Sequence, residues 1–220
     1  MSEFSLAACR HIVVEGAIGV GKSSLSRRLA SHLGARLMLE KPEENPFLER
    51  FYADGARYAF QTQMFFLFQR VEQYRELCQP EMFSEVVVSD FLFAKDAIFA
   101  KLTLSDDEYR LYSQMYLHLA PQIPEPDLLI WLQAELPTLQ ARIRKRGLSM
   151  EQGIDADYLQ RLCDGYFEYF RAYDGAPVLV VDTEGFNPVE DEEDFARLLG
   201  RVDAMKGRRE HFAPCSGGAT

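Results

Sequence analysis

The sequence predicts one α/β domain, spanning residues 1–205, in which a parallel β-sheet lies between layers of helices. Short apolar, β-branched segments alternate with longer amphipathic segments, and this alternation is typical of a parallel sheet whose strands are connected by helices. A glycine-rich turn joins the first predicted strand to the first predicted helix. The chain has 220 residues, of which 47% are hydrophobic, so it can bury a sizeable core.

The first three elements are predicted at the N-terminal end of the chain. Residues 11–15 (HIVVE) predict a short buried strand. Leucines recur every fourth residue between Lys22 and Leu33, as on one face of a helix, and Gly34 is the expected end of that helix. Residues 36–39 predict a second strand.

The alternation continues to the end of the domain. A long helix is predicted from about Arg57 to Cys78, because apolar residues form one stripe along it. The other predicted strands are residues 85–89, 127–132 and 177–181. Residues 206–220 are small and polar and predict a disordered C-terminal tail.

Composition excludes several classes of protein. Twenty-four Lys and Arg against 34 Asp and Glu give a net charge of −10, which disfavours a role in coating nucleic acid. No apolar run approaches the roughly 18 residues needed to span a bilayer, and the N-terminus lacks the layout of a signal peptide. The four cysteines have no CxxC or metal-ligand spacing, as expected for a reduced cytoplasmic protein.

Residues 16–23 (GAIGVGKS) match the phosphate-binding pattern GxxxxGK[ST] between a predicted strand and a predicted helix. Glycines allow backbone amides to surround an anion, and the helix directs its positive end at the same place. Lys22 supplies a charge for the β- and γ-phosphates, and the Ser23 hydroxyl is suited to Mg²⁺. A tight turn without a ligand is the alternative. The predicted ATP-binding residues are Gly16, Ala17, Ile18, Gly19, Val20, Gly21, Lys22, Ser23 and Ser24.

Three classes of P-loop protein are compatible with this motif. For a GTPase, the segment 182–185 (DTEG) matches DxxG, but the chain has no NKxD motif, and a turn at a strand end explains the match. The small size and acidic charge disfavour a mechanical ATPase. A small-molecule kinase needs an acceptor site, a proton acceptor and a cationic lid, and the chain has candidates for all three.

Two acidic residues follow predicted strands, where ligands bind in parallel sheets. Glu40 follows the second strand, and Pro42 and Pro46 prevent a helix directly after it, so its carboxylate is a candidate proton acceptor. Asp90 ends the third strand and is a candidate for orienting Mg²⁺. The alternatives are a surface glutamate in an acidic loop and an aspartate in a turn.

Two pairs of polar residues lie on predicted helices. Gln63 and Arg70 share one face of the long helix among aromatic residues, an arrangement suited to a nucleobase; the polar edge of an amphipathic helix is the alternative. Arg142 and Arg146 lie one turn apart in a basic segment that ends at Gly147. That segment is suited to a lid over a triphosphate, and a solvated helix C-terminus is the alternative.

Five segments together resemble the deoxynucleoside kinase family, in particular its bacterial deoxyadenosine and deoxyguanosine kinases. They are VVEGAIGVGKSSL, LEKPEENPFLERFY, RYAFQTQMFFLFQR, VVVSDFLFAKDAIFA and RIRKRGLSMEQGIDADYL, and the resemblance covers about residues 11–181. It implies a P-loop kinase fold with a five-stranded parallel sheet flanked by helices, a basic lid segment and a homodimer.

The same resemblance implies the reaction. The γ-phosphoryl group of ATP, with Mg²⁺, is expected to pass to the 5′-hydroxyl of a deoxynucleoside, most often a purine one, in cytoplasmic nucleotide salvage. The expected partners are these small molecules, without a nucleic acid polymer or a membrane. A thymidylate-type nucleoside-monophosphate kinase and a non-catalytic nucleotide-binding protein remain alternatives.

The resemblance also implies roles for individual residues. Glu40 matches the catalytic base that activates the 5′-hydroxyl. Tyr52 and Glu151 match the pair that holds the 3′-hydroxyl, and Gln63 and Arg70 match the residues that recognise the base.

The phosphate side of the site is implied in the same way. Arg142 and Arg146 match lid arginines that bind the phosphates, and together with Lys22 and Glu40 they are the expected catalytic residues. Ser23 and Asp90 are the expected contacts to Mg²⁺, and Asp90 is also counted with the substrate-binding residues.

Of three departures from the family pattern, the others being Lys41 in place of a proline and Leu148 in place of a lid arginine, one concerns the catalytic glutamate. The family has an arginine after the strand-end acid, and this arginine supports the catalytic glutamate. Here Phe91 and Leu92 follow Asp90, so the arginine is missing. Lys95 or Asp96 is expected to compensate for it.

Overall fold

The computed structural model describes residues 5–77, 86–120, 123–151 and 153–213. They contain a six-stranded sheet in the order β2-β3-β1-β4-β5-β6, in which all neighbouring strands are parallel. The strands are β1 His11–Glu15, β2 Arg36–Met38, β3 Val87–Ser89, β4 Leu128–Gln133, β5 Val178–Asp182 and β6 Arg209–Phe212.

Eight α-helices connect or flank the strands within these residues. They are α1 Lys22–Leu33, α2 Leu48–Ala53, α3 Gly55–Leu77, α4 Lys95–Thr103, α5 Asp106–Leu119, α6 Leu136–Arg146, α7 Ala156–Ala172 and α8 Glu192–Asp203. Short 3₁₀ segments occupy Leu6–Ala8, Pro42–Glu44 and Ser149–Glu151. In the described part of the chain, no helix combines the length and the apolar character that a membrane crossing requires.

The core lies on the central strands. The apolar residues of β1 and β4 are buried on both faces, which explains their uninterrupted hydrophobic runs. Helices α1, α7 and α8 each contribute buried leucines to the same core, which are Leu25, Leu29, Leu159, Leu162 and Leu198. A second apolar cluster packs α3 and α5 against β3, around Leu67, Tyr74 and Tyr112.

The five predicted strands and the first helix are confirmed. Helix α1 ends where Gly34 adopts a left-handed conformation with a φ of 60°, as expected for a helix-terminating glycine. The predicted long helix is α3. Cys78, the predicted end of this helix, and Glu85, the predicted start of the third strand, lie outside the described residues, as does Cys215, one of the four cysteines.

The prediction of a disordered tail is wrong for Arg209–Phe212, and the five-stranded sheet is one strand too small. These residues form β6, which pairs in parallel with β5 so that Phe212 lies opposite Val181. The segment REHF has no apolar run that would have indicated a strand. Backbone hydrogen bonds to β5 and the polar contacts of Arg209 and Glu210 hold it in the sheet instead. Residues 214–220 lie outside the described part of the chain.

Because the strands are parallel, their carboxyl ends meet at one edge of the sheet. The P-loop follows β1 at this edge, Glu40 lies two residues after β2, and Asp90 directly follows β3. The edge therefore brings together three segments that are far apart in sequence.

Candidate active site

The P-loop adopts a conformation that requires glycine. Gly16, Gly19 and Gly21 have φ values of 149°, 85° and 105°, which side chains rarely tolerate. A Cβ on Gly16 would lie 2.4 Å from the carbonyl oxygen of Leu132. Helix α1 then begins at Lys22 without a side-chain cap, so its first backbone amides point into the loop. This is the geometry of an anion-binding site.

Lys22 is folded back over the same loop. Its Nζ donates hydrogen bonds to the carbonyl oxygens of Gly16 at 2.7 Å and Ala17 at 3.1 Å. Burial lowers the pKa of Lys22, and the charge of Lys95 acts in the same direction, whereas the surrounding carboxylates oppose the shift. The ammonium group is therefore held beside the loop as a cation that an incoming anion would stabilise.

Asp90 connects the P-loop helix to the segment after β2. Its Oδ2 accepts a hydrogen bond from the hydroxyl of Ser23, and its Oδ1 accepts one from the backbone N–H of Glu40 at 2.7 Å. Burial raises the pKa of Asp90, while the bond from Ser23 lowers it. Ser23 and Asp90, the expected Mg²⁺ contacts, thus lie in direct contact.

Glu40 lies between two buried cations. Its Oε1 accepts a hydrogen bond from Nε of Arg70 at 2.9 Å, and its Oε2 pairs with Nζ of Lys95 at 2.9 Å. Burial alone would raise the pKa of Glu40, but the charges and hydrogen bonds of Lys95 and Arg70 outweigh burial and lower it to about 2. Lys95, which was expected to compensate for the missing family arginine, thus pairs directly with the carboxylate of Glu40.

Arg70 extends this arrangement to a second carboxylate. Its side chain is 3% exposed and also pairs with Asp96, which is completely buried. The other oxygen of Asp96 accepts a hydrogen bond from the hydroxyl of Tyr112 at 2.7 Å. The guanidinium group thus links Glu40 to Asp96, and its donors are directed at these two carboxylates.

Gln63 lies beside the same aspartate. Its Nε2 donates to the backbone carbonyl oxygen of Asp96 at 3.0 Å. Because a carbonyl oxygen can only accept, this contact fixes the side-chain amide with its nitrogen toward Asp96. The oxygen of Gln63 is then left as an acceptor in the cavity described next.

These residues line one cavity, which we call the Glu40 cavity. It is bounded by α2, α3, α4, α7 and the P-loop. Four predicted residues of the P-loop segment line it, which are Ile18, Gly19, Lys22 and Ser23, and so do seven other predicted functional residues: Glu40, Tyr52, Gln63, Arg70, Asp90, Arg146 and Glu151. The mixture of aromatic and polar residues in the lining fits a small organic ligand.

Arg146 lies at the far wall of the Glu40 cavity. Its guanidinium group pairs with Glu151, which is 8% exposed. Burial raises the pKa of Tyr52 strongly, and the neighbouring hydroxyl of Tyr158 and the carboxylate of Glu151 act in the same direction. Arg146 is thus engaged beside the predicted sugar-binding pair.

Arg142, one turn before Arg146 on α6, does not line the Glu40 cavity. It lines a second cavity, the P-loop cavity, which lies between the P-loop, α6 and the β5–α8 loop (residues 183–191). Its Nη1 donates to the carbonyl oxygen of Val20 at 3.1 Å and to the hydroxyl of Thr183 at 2.9 Å, and its Nη2 donates to the carbonyl oxygen of Thr183 at 3.0 Å. Arg142 thus faces the P-loop cavity, whereas Arg146 lines both this cavity and the Glu40 cavity.

Sequence reasoning missed the part played by Glu15. This residue ends β1 and is completely buried, and its Oε1 accepts hydrogen bonds from the backbone N–H of Gly16 at 2.9 Å and the hydroxyl of Tyr166 at 3.0 Å. Its Oε2 accepts one from the N–H of Leu92 at 2.8 Å. The carboxylate ties the start of the P-loop to the segment after β3. An acid ending an otherwise apolar strand, directly before the glycine loop, was the available signal.

A P-loop with a basic helix and a buried carboxylate at the same edge of a parallel sheet defines a nucleotide-dependent phosphotransferase. The sequence model of the deoxynucleoside kinase family matches residues 12–205, and the chain belongs to this family. It is thus an ATP-dependent deoxynucleoside kinase, as the resemblance implied.

Several similar proteins come from bacteria. Deoxyguanosine kinase of Bacillus subtilis (strain 168) is 34% identical over 199 residues, which cover 88% of this chain and 96% of the relative. The deoxyadenosine/deoxycytidine kinase of the same organism is 30% identical over 212 residues, covering 93% and 97%. The structure of deoxyadenosine kinase from M. mycoides with bound dATP superimposes with a TM-score of 0.77 and 27% identity, covering 88% of this chain and 99% of that chain.

Proposed function

We propose that this kinase transfers the γ-phosphoryl group of Mg-ATP to the 5′-hydroxyl of a purine deoxynucleoside in nucleotide salvage. The position of Glu40 carries the proposal. Its carboxylate lies where the Glu40 cavity meets the P-loop, and Asp90 joins its backbone to Ser23. A nucleoside in the cavity would direct its 5′-hydroxyl toward this carboxylate and the P-loop together.

Glu40 accepts the proton of the 5′-hydroxyl. A carboxylate with a pKa of about 2 is always ionised at neutral pH but is a weak base. A weak base is sufficient here, because phosphoryl transfer has a loose transition state in which charge lies mainly on the transferring group. Lys95 and Arg70 therefore keep the acceptor ionised and oriented.

Mg²⁺ would be held by Ser23 and Asp90, whose hydroxyl and carboxylate supply the oxygen ligands that this ion prefers. Within the described ranges, no group of three or more His, Cys, Asp or Glu side chains could hold a metal. The pair of Ser23 and Asp90 nevertheless fits Mg²⁺, which proteins commonly bind through one or two side chains together with substrate phosphates. When bound there, the ion would neutralise charge on the triphosphate.

Lys22, Arg142 and Arg146 contact the phosphates during transfer. Arg142 must leave Val20 and Thr183 to do so, and Arg146 must leave Glu151. Both arginines lie in the last two turns of α6, so one movement of this helix end and the following segment changes both sets of contacts. This movement is the closure of the lid.

Recognition of the nucleoside uses both walls of the Glu40 cavity. Tyr52 and Glu151 bind the 3′-hydroxyl. The free oxygen of Gln63 accepts a hydrogen bond from the base, for which the amino group of adenine and the N–H groups of guanine are suitable donors. Arg70 contributes to base recognition while holding Asp96. The names of the bacterial relatives, deoxyguanosine and deoxyadenosine kinases, support a purine preference.

The alternative of a nucleoside-monophosphate kinase is not favoured. Such an enzyme needs free cations for the acceptor phosphate. In the Glu40 cavity Arg70 and Lys95 pair with Glu40, and Arg146 pairs with Glu151. A non-catalytic protein would have no need for a carboxylate held ionised beside the P-loop.

A homodimer is proposed on the basis of exposed apolar surface. Phe68 on α3 and Leu111 and Leu117 on α5 are 48%, 49% and 70% exposed, and these helices are neighbours. Large exposed apolar side chains on adjacent helices are typical of an interface. The cytoplasm is the proposed location, because the reaction consumes ATP and requires Mg²⁺, and both are abundant there.

The direct test is a phosphorylation panel with deoxyadenosine, deoxyguanosine, deoxycytidine and thymidine, Mg-ATP and separation of the products. We expect nucleoside monophosphates, formed fastest from a purine deoxynucleoside. Lys22→Ala is the control and should remove turnover, since it deletes the phosphate-binding charge. Formation of diphosphates from added monophosphates, without phosphorylation of nucleosides, would contradict the proposal.

A further inference from the structure

The unpredicted strand β6 ends at the functional edge of the sheet. It runs parallel to β5, and its last residue, Phe212, lies opposite Val181, one residue before β5 ends at Asp182. The β5–α8 loop begins directly after this point. Phe212 therefore lies beside the β5–α8 loop, which forms one wall of the P-loop cavity.

Polar anchors hold β6 in place. The guanidinium group of Arg209 donates to the carbonyl oxygens of Phe170 and Tyr173, both at 2.7 Å. Glu210 pairs with Arg201 on α8 at 2.6 Å. These contacts hold the strand against the end of α7 and against α8, and they thereby fix the position of Phe212.

Phe212 packs against Phe186 of the β5–α8 loop. The ring centroids are 5.3 Å apart and the rings are nearly perpendicular, at 86°, which is a favourable edge-to-face geometry. Phe186 is 2% exposed although it lies in a loop, and the guanidinium group of Arg197 lies 5.8 Å from its ring on α8. Phe186 also lines the P-loop cavity.

Further contacts of the β5–α8 loop come from α1 and α6, the helices on either side of the P-loop cavity. Arg28 on α1 donates to the carbonyl oxygens of Val189 at 2.7 Å and Asp191 at 3.0 Å. Arg142 on α6 binds Thr183 at the start of the loop. Of the residues named here that contact the β5–α8 loop, Phe212 alone lies outside residues 12–205, the part of the chain that the family sequence model matches.

We propose that Phe212 is a positioning residue for the phosphate donor, acting through Phe186 to set the wall of the P-loop cavity against which the nucleoside part of ATP binds. The proposal rests on the proposed function, since it takes the P-loop cavity as the ATP site. It makes the C-terminal strand, which was expected to be disordered, a part of the donor site. The acceptor site does not depend on it, because Phe212 does not line the Glu40 cavity.

The test compares three variants with the wild type. Phe212→Ala removes the ring, Phe212→Tyr keeps it, and His211→Ala changes the exposed neighbouring residue, whose side chain points to the opposite face of β6. The dissociation constant of Mg-ATP is measured by isothermal titration calorimetry without an acceptor. The KM values of ATP and of deoxyguanosine, kcat and the melting temperature are measured for the same proteins.

We expect Phe212→Ala to raise the dissociation constant and the KM of ATP about threefold to tenfold, the size of one lost edge-to-face contact. The KM of deoxyguanosine should stay at the wild-type value, as should all constants of Phe212→Tyr and His211→Ala. An unchanged dissociation constant in Phe212→Ala would overturn the proposal. So would equal rises in both KM values with a lower melting temperature, since they indicate general loss of structure.

The two proposals fail in different ways. If the wild type binds Mg-ATP but phosphorylates no nucleoside, the proposed function is wrong, and the binding comparison still decides the role of Phe212. If the wild type forms monophosphates and Phe212→Ala binds Mg-ATP normally, the function stands and the positioning role is wrong.

Discussion

Arg70 is the residue that joins the two halves of the Glu40 cavity. It contacts Glu40 on the side of the P-loop and Asp96 on the side of Gln63. Burying two carboxylates and a guanidinium group is unfavourable unless each charge is paired, and Lys95 completes the pairing. The network therefore orients Glu40 through Arg70, which also holds Asp96 beside Gln63.

The pH dependence of Lys95→Met tests this pairing. Removing one of the two cations leaves burial and Arg70 to determine the pKa of Glu40, so the pKa should rise from about 2 toward or above its ordinary value of 4.5. The acid limb of kcat against pH should then move to higher pH. Lys95→Arg is the control and should retain the wild-type limb.

The lowered pKa of Glu40 also determines how its ionisation affects the stability of the folded protein. Since the pKa of Glu40 is lower in the folded state, its ionisation stabilises the folded protein above about pH 4.5, and this contribution is lost as the pH falls toward 2. In Lys95→Met the contribution should be smaller at neutral pH. An acid limb identical to that of the wild type would show that Lys95 does not control Glu40.

At the scale of elements, the P-loop and β6 show what local sequence can and cannot predict. The glycines, Lys22 and Ser23 encode the P-loop directly, because each residue type has a local reason. Strand β6 has no such signal, since Arg209 and Glu210 are fastened by contacts with residues near in space but not in sequence.

In the candidate site, too, some features could be predicted from local sequence and others could not. Glu40 and Asp90 could be predicted because they follow strands, and the structure brings them together with Ser23. The contact of Arg142 with Thr183 could not be predicted, because it depends on how α6 packs against the loop after β5. The catalytic and binding roles of these residues remain predictions.

Two glycine substitutions should have opposite effects on stability. Gly16→Ala should destabilise the protein by more than about 1 kcal/mol and weaken ATP binding, because its φ is positive and its Cβ would meet a backbone oxygen. Gly200→Ala, in the interior of α8 with open space around it, should stabilise by about 0.5–1 kcal/mol. Urea unfolding measures both values. Equal effects of the two substitutions would show that the P-loop tolerates a side chain.

At the scale of the whole molecule, an acidic chain binds an anionic ligand through a local reversal of charge. The net charge is −10, yet Lys22, Arg142, Lys145 and Arg146 all line the P-loop cavity. This local positive field attracts a triphosphate, while the overall charge disfavours long nucleic acids.

The proposed dimer can be tested by one substitution on α5. We expect the wild type to have the mass of a dimer in size-exclusion chromatography with light scattering. Leu117→Glu should shift it to the monomer, because burying the new charge in an apolar interface is costly. Phe167→Glu, an exposed aromatic residue on α7, is the matched control and should remain dimeric. A monomeric wild type would contradict the dimer.

The role of Glu40 is tested most directly by the kcat of Glu40→Gln with a purine deoxynucleoside and saturating Mg-ATP. The amide cannot accept the proton, so kcat should fall about 10²- to 10⁴-fold, while the KM of the deoxynucleoside stays close to that of the wild type. Glu43→Gln, an exposed neighbour, should keep full activity. A kcat for Glu40→Gln equal to that of the wild type would show that another group takes the proton.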